Sequence, residues 1–271
     1  MPTVRSGDAE VAFAVSGEGP GLVLVHGTGG DAATTWLEVA PRLAERFTVV
    51  MPDLPGSGGT VDGGAELELS EVAAAVGAAA EAAGLTSFSL AGFSLGAAVA
   101  AKLAAEQPNR VDALVLVAGP VRGDRARAHL QFDLWRELQE TDPGLFARLW
   151  MLTGFGPGFV DQMPVAGLKH AATFPIAPGF GRQCALNLTV EPESFLPRVE
   201  APTLVLAGAK DWIAPPAAVR ESAALIAAAT YEEIEGGHFS ILEAPGPLSE
   251  RIAEFLSARQ VPARPAAETE G

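Results

Sequence analysis

An alternation constrains this chain more than any other feature. Short apolar runs, GLVLVH (Gly21–His26), Phe47–Met51, Ser87–Ala91 and Val111–Ala118, are separated by segments with helical spacing. Runs this short and this continuously apolar suit strands buried on both faces. The segments between them predict helices. Thr34–Glu45 puts Trp36, Val39, Ala40 and Leu43 on one side. A second helix runs from an N-cap at Ser70 to about Ala83, with Gly84 as its stop, and a third covers Leu95–Gln107 and ends at Pro108. Glu10–Ser16 reads as a further strand. Strands alternating with helices predict an α/β fold, with a mostly parallel central sheet flanked by helices.

The rhythm breaks at Val121 and resumes at TLVLAG (Thr203–Gly208), followed by helix Pro215–Ala227, strand Thr230–Ile234 and helix Pro245–Leu256. Between them, His129–Leu138 and Pro143–Leu152 have amphipathic spacing, and Gly154–Phe159 and Phe174–Gly181 read as loops. The expected organisation is a core of residues 1–120 and 201–258, a helical lid (cap) over 121–200, and a disordered tail at 259–271. That tail is too polar and proline-punctuated to order itself.

Composition removes several functions. Formal net charge is −15 and the isoelectric point is about 4.6, which opposes binding to a phosphate backbone. The single cysteine, Cys184, excludes a disulfide within the chain. The opening MPTVRSGDAEVAF lacks the pattern of a signal peptide, and no apolar run approaches a membrane span. The expectation is a cytoplasmic protein with a small-molecule substrate and neither nucleic acid nor membrane as partner. Its oligomeric state stays open.

The chemistry gathers at strand ends. Gly92-Phe93-Ser94-Leu95-Gly96 joins an apolar strand to an alanine-rich helix. The plainer reading is a tight turn whose serine caps the helix. In a parallel sheet the same pattern is a nucleophile turn. There the serine takes a strained backbone and its neighbouring glycines avoid collisions. Such a serine needs a base. Among His26, His129, His170 and His238, the last follows the final strand in EGGHFSILE, where a loop can fold back over the sheet edge. His26 reads as a structural histidine, and His129 and His170 as surface or lid residues. The orienting carboxylate is Asp211, just after TLVLAG, with Asp124 as its rival and a helix-capping role as the plainer reading. The glycines of His26-Gly27-Thr28-Gly29-Gly30 can turn a backbone amide into the site. The amides of Thr28 and Leu95 are the expected oxyanion donors.

These residues resemble the α/β-hydrolase superfamily, in its serine-nucleophile branch with a helical lid. The resemblance covers Val11–Ala118 and Ala201–Leu256. It rests on HGTGG, MPDLPGSGGT, GFSLG, GAKDW and GGHFS. It implies a serine hydrolase that cleaves an ester or thioester of a hydrophobic small molecule through Ser94, His238 and Asp211. The alternatives are a lyase or acyltransferase on the same scaffold, with His238 abstracting a proton, and a non-catalytic receptor. Relatives with an aspartate nucleophile or lid tyrosines do not fit, since Ser94 holds the nucleophile position and the only tyrosine is Tyr231. No dinucleotide, phosphate-loop or metal pattern accompanies the motifs, so no cofactor and no metal are expected. The aromatic residues of the lid, Phe132, Trp135, Phe146, Trp150, Phe155, Phe159 and Phe174, with Met151, predict an apolar roof. Gly154, Gly156 and Gly158 are candidate hinges.

Overall fold

A computed structural model describes residues 1–165 and 175–259. Lys169, His170, Phe174 and the expected tail from residue 260 lie outside these. The described chain forms an eight-stranded sheet in the order β1-β2-β4-β3-β5-β6-β7-β8. The strands are β1 (Thr3–Ser6), β2 (Ala9–Ser16), β3 (Gly21–Val25), β4 (Thr48–Pro52), β5 (Phe88–Phe93), β6 (Val111–Val117), β7 (Thr203–Gly208) and β8 (Ala229–Ile234). β1 and β2 pair antiparallel, as do β2 and β4, and every later pairing is parallel. The expected α/β architecture is therefore present.

The two-residue period of a strand explains why these runs are apolar throughout. Leu22 and Leu24 pack on one face with Trp36, Leu43 and Ile252, while Val23 and Val25 pack on the other with Val76, Val99 and Leu103. Helices Leu69–Ala82 and Leu95–Glu106 cover one face, and helix Pro245–Ser257 lies on the opposite one. A strand between two helical layers has no side that tolerates a polar residue.

Three local readings need correction. Within the expected loop Gly154–Phe159, residues 157–159 belong to the single helical turn Pro157–Val160, which Pro157 can begin because the first turn needs no amide hydrogen there. The expected helix Thr34–Glu45 is two single turns, Ala32–Thr35 and Ala40–Leu43. Pro41 has no amide hydrogen for the carbonyl four residues back, so the spacing continues and the helix does not. Asp31 caps the first turn, with its side chain accepting from the Thr34 amide at 2.7 Å. Ser70 lies inside its helix instead of capping it. Glu68 holds the cap position, and the Ser70 hydroxyl donates to Glu106 at 3.1 Å.

The strand-4 loop, Pro52–Thr60, is held by Asp53. Its buried carboxylate accepts the amides of Ala32 at 3.0 Å and Gly59 at 2.8 Å. It thereby ties the end of β4 to the loop that follows β3.

Between β6 and β7 the described residues hold helices Ala126–Thr141, Pro143–Gly154, Pro157–Val160 and Phe180–Leu188, and no strand. They share a separate small core of Phe132, Trp135, Phe146, Phe180 and Cys184, joined by Ile213 from the sheet side. Trp135 meets Phe146 edge-on with centroids 6.1 Å apart and stacks on Phe180 at 6.4 Å. Among the described residues, no helix is long and apolar enough to cross a membrane.

Candidate active site

Ser94 follows β5 with φ 55° and ψ −119°, a backbone that a residue with a side chain rarely adopts. The geometry shows why glycines flank it. A Cβ on Gly92 would lie 2.2 Å from the Gly96 carbonyl oxygen, and one on Gly96 would lie 2.2 Å from that of Val25. Both obstacles are backbone, which cannot swing away. Gly96→Ala is therefore expected to destabilise the fold by about 3 kcal/mol, read as a lowered denaturation midpoint at unchanged slope. The capping reading of Ser94 does not hold. Its side chain makes no cap bond to the helix that it begins.

The hydroxyl is engaged elsewhere. Ser94 Oγ lies 2.9 Å from His238 Nε2, and His238 Nδ1 lies 2.8 Å from Asp211 Oδ2. The other carboxylate oxygen of Asp211 accepts the amides of Ile213 and Ala214, each at 2.8 Å. Asp211 is thus fixed by the turn after β7 and does not cap the following helix, whose N-cap is Pro215. Asp211 and His238 are both buried. Phe93 and Phe239 pack against the imidazole at centroid distances of 5.1 and 5.7 Å. The structure thus brings together Ser94, Asp211 and His238.

It does not bring in the rival. Asp124 is exposed and bonded to Arg122 at 2.9 and 2.6 Å. That bond holds its carboxyl below the usual carboxylate range. His26 has the structural role expected of it. Burial lowers its basicity, so the ring is neutral. Nδ1–H donates to the Gly27 carbonyl at 2.8 Å and Nε2 accepts from the Leu54 amide at 2.9 Å. His129 is exposed. Burial also pushes the Cys184 thiol up, which leaves no thiolate there to act as a nucleophile.

Thr28 and Leu95 sit as expected, Thr28 in the loop after β3 and Leu95 at the first position of the helix after Ser94. Among the described residues, neither amide has a protein acceptor. Gly29 has φ +77°, and a Cβ on Gly27 would come within 3.1 Å of Ser94 Cβ, so the loop runs hard against the serine.

Two cavities open here, one against the Gly27–Gly30 loop and one against the serine itself. One holds about 750 Å³ of empty space, counting its open mouth. Its walls include Gly27–Gly30, Phe93, Trp150, Met151, Phe155 and Phe239. Almost all of this lining is apolar. The other is narrow, about 390 Å³ when its open mouth is counted likewise, and is lined by Ser94 and His238 themselves, with Arg122, Gln131, Phe132 and Asn187. The aromatic residues of the insertion therefore divide. Trp150 and Phe155 face the larger cavity and Phe132 the smaller one, while Trp135 and Phe146 knit the insertion together. Phe159 stacks on Phe155 at 5.0 Å near the surface.

Sequence reasoning missed four residues. Gln183 and Asn187 reach the Thr28–Gly29 loop from the insertion. Arg122 reaches the smaller cavity, already paired with Asp124 and Glu193. Glu243 accepts the amides of Gly156 at 3.0 Å and Gly237 at 2.9 Å, which clips the insertion to the loop bearing His238. Only Glu243 left a signal, since it stands in the EGGHFSILE motif. Gly154 and Gly156 also have a packing reason. A Cβ on Gly154 would overlap the Phe239 ring at 2.1 Å, and one on Gly156 would meet Glu243 at 2.9 Å.

Comparison with known proteins agrees with this architecture. Residues 22–251 match the model of the alpha/beta hydrolase family. A pyrrolizixenacetamide deacetylase of Xenorhabdus hominickii is 40% identical over 266 residues, covering 97% of this chain and 100% of that one. A pimeloyl-(acyl-carrier protein) methyl ester esterase of Xanthomonas campestris is 29% identical over 255 residues, covering 90% and 98%. Among solved structures, a thermophilic esterase from Thermogutta terrifontis superposes with a TM-score of 0.83 at 25% identity, covering 96% of this chain and 100% of that one. The chain therefore belongs to the alpha/beta hydrolase family. Membership, with relatives of these kinds, supports an enzyme of the carboxylic-ester hydrolase class.

Proposed function

We propose that this enzyme is a serine acyl hydrolase acting on an apolar small molecule. Its catalytic residues are Ser94, His238 and Asp211, and its oxyanion donors are the amides of Thr28 and Leu95. The observation that carries this reading is the unbroken relay from Asp211 through His238 to Ser94 at a strained turn beside open space.

The chemistry follows from the distances. Ser94 Oγ attacks the acyl carbon while His238 Nε2 takes its proton across 2.9 Å. The carbonyl oxygen gains the charge, and two preorganised amides meet it without reorganisation. Asp211 fixes the ring with Nδ1–H towards the carboxylate and stabilises the imidazolium. Collapse breaks the bond to the leaving atom, which takes the proton from Nε2. Water, deprotonated by the same nitrogen, then releases the acid and restores Ser94.

The names of the relatives bear on the substrate. An acetamide deacetylase and a methyl ester esterase both remove a small group from a larger molecule. The smaller cavity, which holds Ser94 and His238, suits a short group of that size, and the larger apolar one suits the remainder. The insertion acts as a lid that roofs both. Its arginines point outwards or are paired: Arg125 with Glu221, and Arg182 with Asp62. A competition between apolar and short charged acyl substrates is expected to favour the apolar series clearly. The reverse preference would sink the reading of the roof. The one cysteine, free and buried, is the feature that favours a cytoplasmic setting.

The direct test is a fluorophosphonate probe followed by peptide mass spectrometry. The expected result is one adduct on Ser94 and none on Ser94→Ala. Absence of any adduct on the intact enzyme would remove the acyl-enzyme mechanism and favour the lyase reading.

A further inference from the structure

We propose that Gln183 and Asn187 are positioning residues that aim the Thr28 amide at the oxyanion, so that a helix of the insertion sets the geometry of the reaction centre. This rests on the serine-hydrolase reading above.

The loop Gly27–Gly30 has a problem to solve. Three glycines give it freedom, yet an oxyanion donor must be held in place before the reaction starts. The core holds the two ends of the loop, through the His26 ring at the Gly27 carbonyl and Asp53 at the Ala32 amide, but among the described residues it makes no hydrogen bond to Thr28 or Gly29. The bonds further along come from the insertion. The Gly29 amide donates to Gln183 Oε1 at 2.8 Å, and Asn187 Nδ2 donates to Thr28 Oγ1 at 2.8 Å. The Gly29 carbonyl accepts the Ala177 amide at 3.0 Å. Thr28 is thus gripped by its own side chain and through the amide that follows it.

Gln183 and Asn187 lie four apart on helix Phe180–Leu188, so they share a face. Their orientations are determined by their partners. Gln183 Nε2 donates to the Pro55 carbonyl at 3.1 Å and to Ser57 Oγ at 2.8 Å, which leaves Oε1 as the acceptor for Gly29. Asn187 Nδ2 also donates to the Gln183 carbonyl at 2.8 Å, which fixes that amide as well. Gln183 is fully buried. A buried amide is costly unless its hydrogen bonds are made, and a leucine or methionine would pack the same helix against the same loop. What the glutamine adds is direction.

The variants Gln183→Met and Gln183→Glu separate direction from packing. In Gln183→Met, kcat is expected to fall on the order of tenfold to a hundredfold, less than the loss of a whole donor, with KM within a few-fold. A trifluoromethyl ketone becomes an oxyanion-bearing hemiketal on Ser94, so its inhibition constant is expected to rise by the same factor. The fraction of sites titrated by a fluorophosphonate should stay full. In Gln183→Glu, the protonated acid replaces a donor towards Pro55 and Ser57, whereas the carboxylate faces the Pro55 carbonyl. Its rate relative to wild type is therefore expected to fall as pH rises, and a purely structural glutamine would leave that ratio flat.

Unchanged ketone affinity with a flat ratio would overturn the proposal, as would a loss explained wholly by missing titratable sites. If Gln183→Met does not fold, Gln183→Glu and Asn187→Ser carry the same readouts. A wild-type enzyme that labels on Ser94, beside a Gln183→Met variant of full ketone affinity, would defeat this inference and leave the hydrolase reading standing. A wild-type enzyme that never labels would defeat both.

Discussion

Ser94→Ala is expected to lower turnover on the order of a millionfold while leaving the fold intact. The figure is the cost of removing a nucleophile from a triad that works as a unit. Alanine should be tolerated at the strained backbone no worse than serine, because the Ser94 side chain makes no cap bond that would be lost. Circular dichroism and the denaturation midpoint should stay near wild type as kcat collapses. Near-wild-type hydrolysis by this variant would show that the acyl-enzyme is not on the path. The variant should also bind substrate without consuming it, which makes it the form in which to see how the two cavities are filled.

The second large effect is at the base and its partner. His238→Ala should cost about as much as the loss of Ser94, since a neutral serine hydroxyl is a weak nucleophile without a proton acceptor 2.9 Å away. Asp211→Asn should be milder, with a loss of about 10⁴-fold in kcat. The amide nitrogen can donate to Nδ1, which would turn the ring's proton to Nε2, the atom that must receive one from Ser94. The buried amides of Ile213 and Ala214 would also lose an anionic acceptor. Asp124→Asn, in contrast, should leave turnover unchanged, because Asp124 is spent on Arg122 at the surface. Parallel kinetics of the three variants checks this order. An active Asp211→Asn would remove the carboxylate from its assigned role.

The parts of the site legible in the sequence were those set by local rules. The turn around Ser94 is written in Gly92 and Gly96, whose absent side chains are a matter of a few neighbouring atoms. Asp211 and His238 could be found because each follows a strand of a parallel sheet, whose carboxyl ends share one edge. Where no strand sets the frame, the reading ran out. Gln183 and Asn187 look like any polar residues on a short helix, and only the packing of the insertion against the Thr28 loop makes them part of the site. The same limit explains one element that the sequence reading missed and one that it misread. TVRS, the first strand, is a half-exposed edge with little apolar signal. In Thr34–Glu45 the burial pattern described the contact surface correctly, but the backbone of Pro41 decided the structure.

The order in which the chain emerges has a consequence. Ser94 and His238 are 144 positions apart. β3, β5 and β6 can pair among themselves once residue 117 has been made, whereas β7 and β8 join the sheet only after the insertion between β6 and β7 has followed. Contacts that span so much chain form late and slowly. A nascent or truncated polypeptide can thus carry a nearly complete sheet and a correctly bent serine and still be inert, with the hydroxyl lacking its proton acceptor. Covalent labelling of Ser94 during refolding should accordingly lag behind the return of secondary structure. Reactivity of that one hydroxyl is a reporter for arrival of β8 and the His238 loop behind it.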